Sequence, residues 1–282
     1  MLAWVNGSLV PQETATVSVM DRGFLFGDGV YELVRFFDGV GAAMDLHEER
    51  LARSLALAGI AGFDARALRT ICAELLRANG LRDASVYLQV TRGAGAARAH
   101  MPGPGLVPTV VAFVTPSASL ADFREPESAR AIVRPDLRWH RCEIKTISLA
   151  GNILALIEAQ RAGADECILV RDGLVSEGAY TNVAIVRGGR VATCALDDGR
   201  TPVLHGTMRA WMLDAARAAG VPFEERAVPE PELHSADEVL ILSSRRFVSG
   251  VTWLDGATVG DGTPGPVCRA LFAAMRAKLC PG

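Results

Sequence analysis

Between residues 45 and 60 the apolar side chains recur at helical spacing. Leu51, Leu55 and Ala58 share one face, and Asp45 with Glu48 makes a capping-box-like start. A second helix is predicted over about 65–78, from Asp64 as N-cap to Asn79-Gly80 as its stop. The period then drops to two. Val86, Leu88 and Val90 alternate with Tyr87, Gln89 and Thr91, the signature of a half-buried strand over 85–92. Another strand is read over 107–114, with Pro108 near its start. Pro116-Ser117-Ala118-Ser119 and the polar stretch to Ser128 break the pattern. The boundary at about 116–125 gives a small N-terminal domain of residues 1–118, a linker of 119–125 and a larger domain of 126–282.

The second half reads as a strand near 129–134, the segment around Lys145, and a helix over about 152–162 that ends near Gly163. Two hairpins follow, Cys167 to Val175 around Arg171-Asp172-Gly173 and Val183 to Thr193 around Gly188-Gly189. A helix at 207–219 stops at Gly220, Glu238 to Leu242 is a strand, and Pro266 opens a last helix to about Leu279. Helices and strands mix without a βαβ repeat, so the expected class is α+β.

Composition narrows the function more than the fold. A chain of 282 residues suits two domains and buries a core without disulfides. The net charge is −3 and no basic block stands out, which argues against nucleic acid or an anionic membrane as partner. Cys72, Cys142, Cys167, Cys194, Cys268 and Cys280 form no CxxC pair and are expected as buried reduced thiols. Neither a signal peptide at Met1–Gly7 nor a membrane-spanning run is visible, so the expectation is a soluble cytoplasmic protein.

Against that background Lys145 is the candidate nucleophile. A lysine held neutral attacks a carbonyl and forms a Schiff base, and polar groups that could support this recur at Tyr31, Arg50, Arg98, His100 and Glu177. Gly27-Asp28-Gly29-Val30-Tyr31-Glu32 is either a tight turn into a strand or a turn that sets the Tyr31 hydroxyl in a cleft; its spacing is not that of a phosphate loop. Arg98-Ala99-His100 lies in a loop of small residues, where the two donors can converge on a carboxylate. The helix start at Gly206-Thr207-Met208-Arg209 offers free N–H groups to a phosphate.

Taken in order these segments resemble the class IV aminotransferases, which use pyridoxal 5′-phosphate on the type IV fold, and within them the D-amino-acid aminotransferases. The strings that carry the resemblance are Asp21-Arg22-Gly23…Phe26-Gly27-Asp28-Gly29-Val30-Tyr31-Glu32 and Val90-Thr91-Arg92-Gly93…Arg98-Ala99-His100. Arg138-Trp139…Arg141-Cys142…Ile144-Lys145 and Glu177-Gly178…Asn182 continue it over about residues 1–255. The resemblance implies a small α/β domain and a larger pseudo-barrel domain with helices. It implies that Lys145 forms the Schiff base and later moves the proton, and that Glu177 pairs with the pyridine nitrogen. Arg50, Thr207 and Met208 are implied to hold the phosphate, with Ser243 and Ser244 also at the cofactor and Leu204 packed on its ring. Tyr31, Arg98 and His100 match a trap for the substrate carboxylate. Arg98 and His100 are supplied in the family by a second subunit, so a homodimer is implied. The reaction implied carries the amino group of a D-amino acid to a 2-oxo acid, such as 2-oxoglutarate or pyruvate, by a ping-pong route.

Three departures bear on the substrate. Ala179-Tyr180-Thr181 puts a tyrosine where the family carries small hydroxyl residues. Met208 replaces a threonine. Arg245-Arg246 follow Ser243-Ser244 where relatives have small hydroxyl residues, and either arginine is a candidate for a distal substrate carboxylate. The alternatives are an (R)-selective amine transaminase or one that accepts both substrate classes. Further off lie a branched-chain L-amino-acid aminotransferase and an aminodeoxychorismate lyase. A non-catalytic binding module on the same fold is the reading from another class.

Overall fold

The structure is a computed structural model that describes residues 1–196, 199 and 202–279, so the expectation for Cys280 lies outside the described residues. It divides into two compact units. The first is Met1–Phe123 with Ile144–Leu149, and the second is Arg124–Glu143 with Ala150–Gly282. The segment carrying Lys145 lies past the break near residue 120 in sequence but packs with the first unit.

The first unit opens with the β1 (Leu2–Val5) and β2 (Ser8–Pro11) hairpin and the short helix α1 (Arg22–Phe26). β3 (Gly29–Phe37), β4 (Val40–Gly41), α2 (Met44–Ala58), α3 (Ala67–Asn79), β5 (Ala84–Thr91) and β6 (Thr109–Pro116) follow. The strands form one sheet in the order β2-β1-β6-β5-β3-β4, antiparallel throughout. Val86, Leu88 and Val90 are fully buried, as their alternation requires. They meet Leu51 and Leu55 from α2 and Leu68, Ile71 and Leu75 from α3 in one apolar cluster. Each such side chain contributes about 1.5–3 kcal/mol by leaving water.

Two helix starts differ from the sequence pattern. The cap of α2 is Ala43, in the left-handed region at φ 53, and no side chain caps it. Asp45 and Glu48 sit inside the helix instead. They take the guanidinium of Arg69 on α3, with Glu48 Oε2 2.8 Å away. A cross-helix ion pair wins over a local cap here. α3 begins at Ala67, and Asp64 makes a turn before it, its Oδ1 accepting the Arg66 N–H at 3.0 Å.

The second unit contains β7 (Ser128–Pro135), α4 (Ala150–Arg161), β8 (Glu166–Arg171), β9 (Leu174–Gly178), β10 (Asn182–Arg187), β11 (Arg190–Thr193) and α5 (Thr207–Ala219). β12 (Phe223–Glu225), α6 (Glu230–His234), β13 (Glu238–Ser243), β14 (Phe247–Leu254), β15 (Ala257–Thr258) and α7 (Pro266–Ala277) complete it. Its sheet runs β12-β11-β10-β13-β14-β7-β8-β9 with β15 on β14. It curls into a half-barrel, as the α+β expectation with a pseudo-barrel anticipated. The Gly178 N–H donates to the Thr181 carbonyl at 2.7 Å where β9 turns back toward β10. Both hairpin turns carry consecutive positive φ values, 52 and 76 at Asp172-Gly173 and 54 and 74 at Gly188-Gly189, the backbone twist that two-residue hairpins favour.

No helix among the described residues is long and apolar enough to cross a membrane, and none of their His, Cys, Asp and Glu side chains group as metal ligands. The five described cysteines are buried.

Candidate active site

In the first unit the start of β3 is a template for the lysine segment. The Tyr31 N–H donates to the Lys145 carbonyl at 3.0 Å, the Ile147 N–H to the Gly29 carbonyl at 3.1 Å, and Val30 bridges Thr146. Position 29 has to be glycine, because a Cβ there would lie 2.9 Å from the Val90 carbonyl oxygen. Lys145 is thus fixed as an extra extended segment on the sheet. Its N–H is held by Ser54 Oγ of α2 at 3.1 Å, and its Nζ stands 4.3 Å over the ring of Tyr31. Tyr31 stacks in turn on Tyr87, with ring centroids 5.4 Å apart. The amine and the phenol singled out in the sequence are neighbours.

Arg50 is buried and grips a residue the sequence reading left without a role. Its Nε and Nη2 donate to Oε1 and Oε2 of Glu32, each at 2.7 Å. His47 Nδ1 lies 2.6 Å from the same Oε2. Burial opposes charge on Glu32, but Arg50 and then His47 outweigh it and hold the carboxyl well below the usual range. Burial pushes His47 down, against the pull of Glu32, and its Nδ1 faces the carboxylate. The signal for this cluster was present in the sequence as His47 and Arg50 one turn apart on a helix. Nothing in the sequence pointed it at Glu32.

Arg98 and His100 both pack against Phe26. The Arg98 guanidinium lies 5.0 Å from the centroid of the Phe26 ring, and the His100 ring lies 5.6 Å from it. Both residues are exposed.

The second unit builds its own polar site around Glu177. The Leu204 N–H donates to Glu177 Oε2 at 2.9 Å, Asn182 Nδ2 to the same oxygen at 3.3 Å, and Arg138 Nη1 to Oε1 at 2.7 Å. Asn182 also donates to the Leu204 carbonyl at 2.9 Å, which ties the loop before α5 to β10. Arg138 turns the rest of its fork to Asp136, with Nε on Oδ1 and Nη2 on Oδ2, both at 2.9 Å. Burial pushes the Glu177 carboxyl up, Arg138 pulls it back only in part, and the negative Asp136 adds to the rise. Arg171 Nη2 lies 3.1 Å from Asp136 Oδ2, so the two carboxylates of this cluster face two guanidiniums.

The N-terminus of α5 has no side-chain cap, and its cap residue is Gly206. Only glycine fits there, since a Cβ would sit 1.6 Å from Asn182 Oδ1. Thr207 and Met208 are buried at this end. The Ser243 hydroxyl, at the end of β13, is buried with no hydrogen-bond partner. Strand pairing of Leu242 with Asn182 brings β13 beside the same residues. Donors at a helix start with an orphaned hydroxyl nearby suit a phosphate, and a buried carboxylate suits a protonated ring nitrogen. The residues of this unit therefore fit a phosphorylated pyridine cofactor.

Tyr180 is 43% exposed, and its hydroxyl donates to the Asp165 carbonyl at 3.3 Å. Burial and then Glu166 push the phenol up, while the charges of Arg246 and Arg245 pull it back, so both guanidiniums lie within electrostatic reach. Arg245 is exposed. Arg246 Nε lies 3.2 Å from Glu127 Oε2 without hydrogen-bond alignment. The turn bearing Tyr180 is held by Glu166, another residue without a sequence signal. Glu166 Oε1 accepts the N–H groups of Cys167 at 2.7 Å and Ala179 at 2.9 Å, and Oε2 accepts the Thr181 hydroxyl at 2.8 Å.

Known proteins place these features in a family. Residues 29–253 match the pattern of amino-transferase class IV. The chain is 39% identical over 275 residues to a D-alanine aminotransferase of Bacillus licheniformis, covering 97% of this chain and 95% of that one. It is 36% identical to a D-alanine aminotransferase of Listeria monocytogenes, covering 96% and 93%. Among solved structures, a branched-chain aminotransferase from Thermoproteus uzoniensis superposes with a TM-score of 0.86 at 26% identity, covering 99% and 94%. A fold IV transaminase from Curtobacterium pusillum superposes with a TM-score of 0.80 at 30% identity, covering 98% and 93%. The chain belongs to the class IV aminotransferases.

Proposed function

We propose that the protein is a pyridoxal-phosphate-dependent D-amino-acid aminotransferase. It would move the amino group of a D-amino acid to a 2-oxo acid in two half-reactions. The observation that carries this reading is Glu177, a buried carboxylate that burial pushes up, held next to the start of α5 by Asn182 and the Leu204 N–H, in a family whose reaction runs on a pyridine cofactor. The bound cofactor supplies an electron sink for the charge left at the substrate α-carbon.

The residues of this chain do the rest. Lys145 Nζ would hold the cofactor carbonyl and, once displaced by the substrate amine, take up and return the α-proton. Its backbone bonds to β3 keep the amine in place through that exchange. Glu177 would keep the ring nitrogen protonated, with Arg138, Asn182 and the Leu204 N–H fixing the carboxylate. The N–H groups at Thr207 and Met208, with Ser243 and Ser244, would take the phosphate. Arg50 would add charge there, its Nε and Nη2 already anchored on Glu32. Leu204 would pack on the ring.

Tyr31, Arg98 and His100 would bind the substrate carboxylate. Arg98 and His100 would be contributed by the second copy of a homodimer. Their exposure on the face of Phe26 supports this, as do the exposed apolar side chains Phe24 (73%) and Met101 (81%) close by in sequence. Arg245 and Arg246, within reach of Tyr180, would favour a second carboxylate on the substrate.

The deciding experiment is a half-reaction screen. Purified protein is loaded with pyridoxal phosphate and mixed in turn with D-alanine, D-glutamate, L-alanine and (R)-1-phenylethylamine, while the visible absorption of the bound cofactor is followed. Bleaching by the D-amino acids alone is the expected result. A band that survives every D-amino acid overturns the proposal, and bleaching by the amine alone assigns the protein to the (R)-amine enzymes. Light scattering on the same sample should give twice the chain mass.

A further inference from the structure

We infer that Arg22, locked by Asp28, is a positioning residue that sets the Arg98-His100 pair by holding the consecutive carbonyls of Ala99 and His100. The inference rests on the proposed role of that pair at the substrate carboxylate and assigns the group that aims it.

The loop cannot aim itself. Gly93-Ala94-Gly95-Ala96-Ala97 offers no large side chain to bury, and Ala96 to Met101 are exposed. At its start the loop is tied to α1 by the Arg22 N–H on the Gly93 carbonyl at 3.0 Å and by a bridge from Asp21 to Ala94. At the functional end the guanidinium of Arg22 takes over. Its Nη1 donates to the Ala99 carbonyl at 2.7 Å and its Nη2 to the His100 carbonyl at 2.9 Å. Two consecutive carbonyls held by one planar fork fix the planes of the two peptides that flank the His100 Cα. Those planes set the direction in which the His100 side chain leaves the backbone, and through Ala99 they constrain Arg98.

The fork is itself fixed on its other edge. Arg22 Nε donates to Asp28 Oδ2 at 2.7 Å, and its guanidinium lies 4.9 Å from the centroid of Phe26, the ring that Arg98 and His100 also pack against. Asp28 is in turn gripped by Arg92, with Nε on Oδ2 at 2.8 Å and Nη2 on Oδ1 at 2.9 Å. Arg92 reaches the Ala58 carbonyl at 2.8 Å and the Gly59 carbonyl at 2.6 Å, at the end of α2. A chain of charge-assisted bonds thus runs from the helix that bears Arg50 to the loop that bears Arg98 and His100. Lysine at position 22 would keep the charge but lose the fork.

The test compares Arg22→Lys, Asp28→Asn, Arg98→Ala/His100→Ala and the combined variant Arg22→Lys/Arg98→Ala/His100→Ala, all as loaded enzyme. Arg22→Lys and Asp28→Asn should each raise the KM for D-alanine about tenfold, the scale of one charge-assisted bond, with kcat changed far less. In the combined variant the Arg22→Lys substitution should add nothing to the loss already caused by Arg98→Ala/His100→Ala. Amide hydrogen exchange should rise over residues 94–101 in Arg22→Lys and stay as in wild type in β5 and β6. Additive losses, or unchanged exchange in the loop, would overturn the inference. If Arg98→Ala/His100→Ala leaves KM unchanged, the carboxylate role of the pair fails and the inference falls with it. If that variant raises KM while Arg22→Lys does not, only the inference fails. Should Arg22→Lys prove unstable, Asp28→Asn makes the same prediction without altering the arginine.

Discussion

Two glutamates, one in each unit, are enclosed to a similar degree and are driven in opposite directions. Glu32 is held well below the usual carboxylate range and Glu177 is pushed above it. Burial acts the same way on both, so the difference lies in their partners. Glu32 receives a bidentate guanidinium and an imidazole. Glu177 receives one arm of a guanidinium whose other arms serve Asp136, plus neutral donors. Asp136 also meets Arg171, so the Glu177 cluster is neutral as a whole, and what sets the two glutamates apart is how directly their cations reach them.

The contrast breaks most visibly at Glu32. Glu32→Gln leaves Arg50 buried against a neutral amide, and global stability should fall by about 3–5 kcal/mol in urea unfolding. A loss under about 1 kcal/mol would mean that the pair contributes little to the fold. Glu177→Gln should behave the other way. Transaminase kcat should drop by about 10²–10³-fold, the scale of one lost preorganised electrostatic partner, while the unfolding midpoint moves little. Equal stability losses in the two variants would erase the distinction.

Glu166 sharpens the comparison because it is buried with neutral donors alone. Burial raises its carboxyl to about 7. Between its ordinary value and about 7 the folded state binds the proton and the unfolded chain does not. The stabilisation is therefore complete at low pH and is lost as pH rises through 7, by at most about 3 kcal/mol. Glu166→Gln imitates the protonated side chain, since its amide can donate to the Thr181 hydroxyl while its oxygen keeps the two N–H groups. Urea unfolding at pH 5.5 and 8 should then show a smaller pH dependence in the variant than in wild type.

The smallest effect is expected at Arg245 and Arg246. Alanine at the arginine that meets substrate should cost about 1.5–3 kcal/mol in kcat/KM for D-glutamate and leave D-alanine unaffected. A uniform change for both substrates would assign these side chains to structure alone.

Much of the fold was legible because it is local. The alternation in β5, the glycine stops of α3 and α5, and the positive-φ hairpin turns follow from backbone sterics and burial of one face. The cap of α2 was misread because Arg69, twenty-one residues beyond Glu48, competes for the same carboxylates. At the candidate site the sequence supplied Lys145, Tyr31, Glu177 and the Arg98-His100 pair through their order and spacing. It carried no sign that Arg50 would face Glu32, that Arg138 would divide itself between Asp136 and Glu177, or that Glu166 would hold the Tyr180 turn.

The sequence by itself determined which chemical groups this protein possesses and the elements that carry them, because residue type and short-range periodicity are written along the chain. Only the tertiary structure decided which charges are satisfied. Charge balance in a buried site depends on through-space distances between residues 18 to 77 positions apart, as with Arg50 and Glu32 or Arg22 and the Ala99 carbonyl, and no local pattern encodes those distances.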